Sequence, residues 1–130
     1  LLLTEGGDPD KLGRGTLWGE ELPECIHQNH VFRVRLTTQS LQPLYLNWLV
    51  GSRRGKEYFL RSAKQTTGIA SINMTQLRGF PLLFPPVGLQ QTFATRAEFV
   101  GRMEAANRAS LAQVDALFAS LQHRAFRGDL

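Results

Sequence analysis

A single cysteine, Cys25, stands among 130 residues, so no intramolecular disulfide can form and no zinc site of several thiolates is available. A reducing cytosol suits such a chain. No apolar run nears the ~20 residues needed to cross a bilayer. Leu82-Leu83-Phe84, for example, is closed by Pro81 on one side and Pro85 on the other. Leu1-Leu2-Leu3 has neither a basic flank nor a cleavage site, and reads as the start of a strand rather than a signal peptide. The absence of an initiator methionine leads us to expect the C-terminal piece of a longer protein. Phosphate-transfer chemistry lacks its Gly-Lys-Ser/Thr cradle, and Gly13-Arg14-Gly15 lacks the further glycine and helix of a dinucleotide fingerprint. Metal-dependent nucleases often place an acidic residue two positions before a lysine. Here Lys11, Lys56 and Lys64 are preceded at that spacing by Pro9, Arg54 and Ser62. These absences point to a binding and assembly module that uses no metal or organic cofactor.

What is present is the make-up of an ordinary globular domain, 42% hydrophobic and 20% charged. The net charge of +4 is unevenly spread. Residues 1–24 carry two cations against six anions, residues 25–88 eight cations against Glu57 alone, and residues 89–130 five cations against four anions. A basic block between an acidic end and a balanced one is the footprint of a polyanion-binding surface. A solvated basic face without a partner is the alternative.

Apolar spacing and turn residues predict an α+β body over residues 1–86 followed by one long coiled-coil-type helix over 87–130. A strand at the start runs into a glycine-rich loop, and Thr16-Leu17-Trp18 follows. Residues 30–36 alternate apolar and polar side chains, the pattern of a half-buried strand with Arg33 and Arg35 outward. Pro43 opens a helix that ends at Gly51, and Ser52 caps a second over 53–64. Gln65-Thr66-Thr67-Gly68 reads as a loop, 69–72 as a short strand, Asn73 as the cap of a helical turn, and 80–84 as a last apolar strand. From Leu89 the pattern changes. Phe93, Ala97, Val100, Glu104, Asn107, Leu111, Val114, Phe118, Leu121 and Ala125 alternate spacings of four and three, the seam of a coiled coil. A rod from Leu89 to Arg127, roughly 58 Å long at about 1.5 Å per residue, calls for a second helix as partner. Folding back on its own domain is the alternative.

Cys25, His27 and His30 form the one cluster with metal or nucleophile potential. A strand start would point the two histidines to opposite sides, so capping or hydrogen bonding is the favoured role. Phosphate contacts are expected from Arg53, Arg54, Lys56, Arg61 and Lys64. Side chains with paired donors and acceptors read bases best, which selects Gln65, Thr66 and Thr67, with Lys11 and Arg14 in the glycine-rich loop next. Gln28, Asn29 and His30 combine that chemistry with a turn-capping position. Trp18, Trp48, Phe59 and Phe80 are expected in the core.

Three segments together resemble the specificity subunits of Type I restriction-modification systems. These are Leu2-Leu3-Thr4-Glu5-Gly6-Gly7-Asp8 with Lys11-Leu12-Gly13-Arg14-Gly15, then Thr66-Thr67-Gly68-Ile69-Ala70-Ser71-Ile72-Asn73 through Phe80-Pro81-Leu82 to Pro85-Pro86 and Leu89-Gln90-Gln91, and last Ser120-Leu121 with Arg124-Ala125-Phe126-Arg127-Gly128-Asp129-Leu130. In that family a Pro-Pro-x-x-x-Gln signature opens a long helix at the end of a target recognition domain. An acidic residue commonly precedes the glutamine, where this chain has Leu89. The resemblance implies a non-catalytic cytoplasmic subunit, bacterial or archaeal, that binds double-stranded DNA and reads one half of a bipartite site. It also implies methyltransferase subunits and an endonuclease/translocase subunit as partners, no membrane, and a second long helix from the same or another specificity subunit. Family members carry two recognition domains and two long helices, so this chain matches a fragment or a half-subunit. An assembly protein whose basic body binds RNA or an acidic partner is the competing function.

Overall fold

The computed structural model describes residues 1–19, 22–66 and 68–129, and divides into two compact units, Leu1–Ala94 and Thr95–Leu130. The architecture is mixed α and β, with a long C-terminal helix. The first unit holds two antiparallel sheets of very short strands. In one, β1 (Leu2–Thr4) lies between β3 (Gly15–Thr16) and β4 (Val31–Arg33). In the other, β6 (Ile69–Ser71) lies between β2 (Gly6–Gly7) and β5 (Lys64–Thr66). Only Glu5 separates β1 from β2, and its main chain serves both sheets. Its N–H donates to the His30 carbonyl at 3.0 Å, and its carbonyl accepts the Ile72 N–H at 2.9 Å.

The helices begin where local chemistry supplies what a helix end needs. Pro43 opens α1 (Pro43–Gly51) with its φ already set and no donor to leave unpaired. Ser52 caps α2 (Arg53–Ser62), its Oγ accepting the Gly55 N–H at 3.2 Å. Gly55 presses against the end of α1, where a Cβ would collide with the Val50 carbonyl. A reciprocal box starts α3 (Met74–Arg78): Asn73 Oδ1 accepts the Gln76 N–H at 3.0 Å and Gln76 Oε1 accepts the Asn73 N–H at 2.7 Å. α4 (Val87–Arg127) runs 41 residues without interruption.

Phe59, fully buried, centres a core with Leu3, Leu12, Leu46, Val50 and Ile72. Phe80 stacks on it with ring centroids 5.3 Å apart and planes 14° from parallel. Each large apolar side chain so enclosed contributes about 1.5–3 kcal/mol.

Several expectations need correction. Residues 80–84 form no strand. Pro81 has no N–H for a ladder, and side-chain contacts hold the segment instead: Phe80 on Phe59, and the Tyr45 hydroxyl on the Leu83 carbonyl at 3.2 Å. The expected loop at 65–68 is largely a hairpin, because Lys64–Thr66 pairs with Ile69–Ser71 and Gly68, at φ +79°, sits in the turn. α2 ends at Ser62, and the strand expected over 30–36 is only Val31–Arg33. Phe59 and Phe80 join the core, but Trp18 and Trp48 remain 39% and 51% exposed.

Candidate functional site

α2 sorts its side chains by the helical period. Gly55 and Phe59 turn into the core, and Arg54, Tyr58 and Arg61, four and three residues apart, share another face. With Glu57, Ser62 and Pro81 these three line an open hollow of about 410 Å³. Two guanidiniums thus flank a tyrosine at an accessible surface, a geometry that can hold a phosphate by charge and by directed hydrogen bonds. The Tyr58 hydroxyl is held by the Gln76 carbonyl at 2.8 Å, which fixes the ring between the arginines' anchor points.

The other expected phosphate residues are placed differently. Arg53 Nε donates to Glu57 Oε1 at 2.9 Å, so its charge is partly answered within the helix. Lys56 lies nearly half a helical turn from Arg54 and is partly buried. Lys64 is exposed at the start of β5, opposite Ser71. The structure therefore brings Arg54 and Arg61 together and leaves Arg53, Lys56 and Lys64 around them. On sequence alone Tyr58 falls with Phe59 and Ala63 on the core side of α2, away from the arginines, and Pro81 has no place in the site; Tyr58 does pack on the core but also lines the hollow. The spacing of 54, 58 and 61 was there to be seen for Tyr58, whereas Pro81 arrives from a distant segment.

Among the expected base readers, Gln65 is exposed on β5, and its Nε2 donates to the Leu60 carbonyl at 3.2 Å near the end of α2. Thr66 closes the same strand, its Oγ1 3.5 Å from the Ile69 carbonyl. Thr67 lies outside the described residues. Lys11 ends a single 3-10 turn, Pro9–Lys11, and its Nζ is hydrogen-bonded to Asp8. That hydrogen bond and the lysine's charge hold the Asp8 carboxyl below its usual range, and the same pairing raises Lys11. Arg14 reaches Asp10 at 3.6 Å. Both loop cations thus have nearby anions.

Cys25, His27 and His30 are all exposed. His30 Nδ1 lies 2.8 Å from Glu5 Oε2, His27 Nδ1 faces the Gln28 carbonyl at 3.0 Å, and Cys25 Sγ points to the Ile26 carbonyl at 3.6 Å. Among the described residues no three His, Cys, Asp or Glu side chains come close enough to hold a metal, and no helix is long and apolar enough to cross a membrane.

Gln90 proves to be a structural residue of a kind the sequence did not reveal. Fully buried, its Oε1 accepts the Gln42 N–H at 2.9 Å, and its Nε2 donates to the Ser40 carbonyl at 2.9 Å and the Pro85 carbonyl at 2.7 Å. Nearby, Phe93 meets Tyr45 and Trp48 edge-on at 5.9 and 6.1 Å between ring centroids, so the first seam position already has intrachain neighbours. The later seam residues Val100, Asn107, Leu111, Val114, Phe118 and Leu121 are exposed.

Over 106 residues the chain is 27% identical to the Type I restriction enzyme StySPI specificity subunit of Salmonella potsdam. That relative is a specificity subunit. The alignment takes in 78% of this chain and 23% of the relative, so the chain spans under a quarter of that protein's length. No family model and no solved structure matches the chain.

Proposed function

We propose that this chain is a non-catalytic DNA-recognition module of a Type I restriction-modification specificity subunit, residues 1–86 forming part of a target recognition domain and 87–130 the assembly helix. The observation that carries the reading is the Arg54–Tyr58–Arg61 face of α2, set in a segment of eight cations and one anion. The likeness to a Type I restriction enzyme specificity subunit supports duplex DNA as the polyanion. In this reading Arg54 and Arg61 clamp the backbone, Arg53, Lys56 and Lys64 add to the attracting field, and the β5–β6 hairpin with Gln65 and Thr66 approaches base edges. Phosphate contacts of this kind position the protein without reading sequence, so discrimination falls to the hairpin. The module reads one half of a bipartite site, and the exposed apolar seam of α4 pairs with a second specificity-subunit helix, which places the methyltransferase and endonuclease subunits.

The test is duplex binding across a salt series. Replacing Arg54 and Arg61 with alanine is expected to weaken binding to every duplex and to flatten the log–log salt slope by about 1.8, at ~0.9 per lost phosphate contact. Unchanged affinity and slope would remove α2 from the interface. Tighter binding to RNA than to duplex DNA would favour the assembly-protein reading instead. Mapping methylated bases in a host genome with and without the gene identifies the site that is read.

A further inference from the structure

A second surface draws on different residues from the α2 hollow, although Pro81 of the hollow stands between Phe80 and Leu82 of this one. It is a cleft of about 560 Å³ whose lining includes the buried side chains Leu3, Leu41, Leu46 and Val50. Arg33, Arg35 and Arg78, all exposed, also line it. Among the described residues no ion pair or side-chain hydrogen bond engages these three arginines, whereas Lys11, Arg14, Arg53 and Arg108 each have an acidic neighbour. Arg33 belongs to β4 and Arg78 to α3, so the cations come from two different elements. Among the described residues β4 is also the outer strand of its sheet, with β1 as its neighbour there.

These features select an occupant. Apolar walls that reach core leucines favour apolar side chains, and a nucleic acid offers none at that depth. Three cations that no described residue answers, Arg33 on β4, Arg35 just past its end and Arg78 on α3, call for more than one anionic group, which a single-headed amphiphile such as a fatty acid lacks. An edge strand offers main-chain donors and acceptors to an extended segment, whose side chains then alternate between the cleft and its mouth. We propose that this cleft is a docking groove for an extended protein segment of alternating apolar and acidic residues, which seats its apolar side chains against the accessible Leu36, Met74 and Leu82 above the buried floor and its carboxylates on Arg33, Arg35 and Arg78. The site goes beyond DNA recognition, because it gives the first unit a protein partner of its own.

The experiment uses the full chain and a fluorescent peptide of alternating leucine and glutamate, followed by anisotropy. Saturable binding is expected. It should be at least about tenfold weaker for a leucine–lysine peptide and for a serine–glutamate peptide, which test the charge and the apolar wall separately. The double variant Arg33→Glu/Arg78→Glu changes exposed, unpaired side chains and should reverse the preference, favouring the leucine–lysine peptide. A misfolded variant cannot produce that reversal. Saturating duplex DNA should leave peptide binding intact, and the Arg54→Ala/Arg61→Ala variant should bind peptide as the parent does. Failure of the peptide to bind, equal binding of all three peptides, or displacement by duplex DNA would each overturn the proposal. The last of these would assign the cleft to the nucleic-acid surface.

Discussion

The Gln90 side chain accepts the main-chain N–H of Gln42 across 48 residues, joining the first turns of α4 to the residue that precedes α1. The same amide answers the carbonyls of Ser40 and Pro85, so three main-chain groups depend on one side chain. This explains a glutamine at this distance from Pro85-Pro86: only a side chain with a donor and an acceptor on one planar head satisfies both kinds of group.

Gln90→Leu keeps the volume and removes all the hydrogen bonds. It should cost about 3 kcal/mol or more, three main-chain groups each losing a partner at ~1–3 kcal/mol per buried polar group left unpaired. Gln90→Glu turns an acceptor toward two carbonyls, which raises the folded-state pKa of the new carboxyl. Its penalty should therefore be small in acid and grow as pH rises above the ordinary glutamate range. Urea melts at two pH values test the sign, and a pH-independent penalty would contradict it.

Gly55 and Gly51 make an internal control for packing. A Cβ at Gly55 meets the Val50 carbonyl, and one at Gly51 meets nothing within 4 Å. Gly55→Ala should destabilise by about 1–3 kcal/mol or more, and Gly51→Ala should be neutral or stabilising by up to ~1 kcal/mol. Thermal melts of the two variants compare them directly.

Glu57 is the sole anion among residues 25–88 and holds Arg53 by 2.9 Å. Glu57→Gln should free that guanidinium, tighten duplex binding severalfold and steepen the salt slope by up to about 0.9. A weaker complex would show that Glu57 orients Arg53 for DNA rather than withholding it.

The Asp8–Lys11 pair predicts a pH response at the glycine-rich loop. Because the Asp8 carboxyl is held low in the folded chain, the pair steadies the loop above the ordinary aspartate range and is lost as pH falls through the lowered value. Carbon-detected NMR of Asp8 should give a midpoint below that of an exposed aspartate. Lys11→Met should return it toward the ordinary value.

Along α4, Glu104 pairs with its own helix neighbour Arg108 at 3.3 Å. Changing Glu104 and Asn107 to leucine should strengthen helical association and loosen its register. Concentration-dependent melts and sedimentation would show it. A monomer at all concentrations, before and after the change, would show that the chain does not self-associate through α4, and adding a second specificity-subunit helix in trans then tests pairing with a different helix.

Elements with local punctuation were legible in the sequence. Pro43, Ser52 and Asn73 announce α1, α2 and α3 because a cap acts within three or four residues. β6 was legible as a short strand over 69–72, but its partner β5 was not, since Lys64, Gln65 and Thr66 are all exposed and give no alternation to detect. Residues 80–84 misled in the opposite sense. An apolar run signals burial, but stacking of Phe80 on Phe59 satisfies part of it without a ladder. The candidate site divides the same way: Arg54 and Arg61 lie on one short helix, but the hollow between them needs Pro81, and the arginine-lined cleft draws on four separate segments.

The uninterrupted exposure of residues 98–129 sets a kinetic signature for α4. With no side chain covered there, amide protons are shielded from deuterium only by the helix–coil equilibrium, and Gly101 weakens that equilibrium by about 1 kcal/mol relative to alanine. They should exchange far sooner than amides around Phe59, whose release requires opening the core. Slowed exchange over this stretch then becomes a direct gauge of the moment a partner helix arrives.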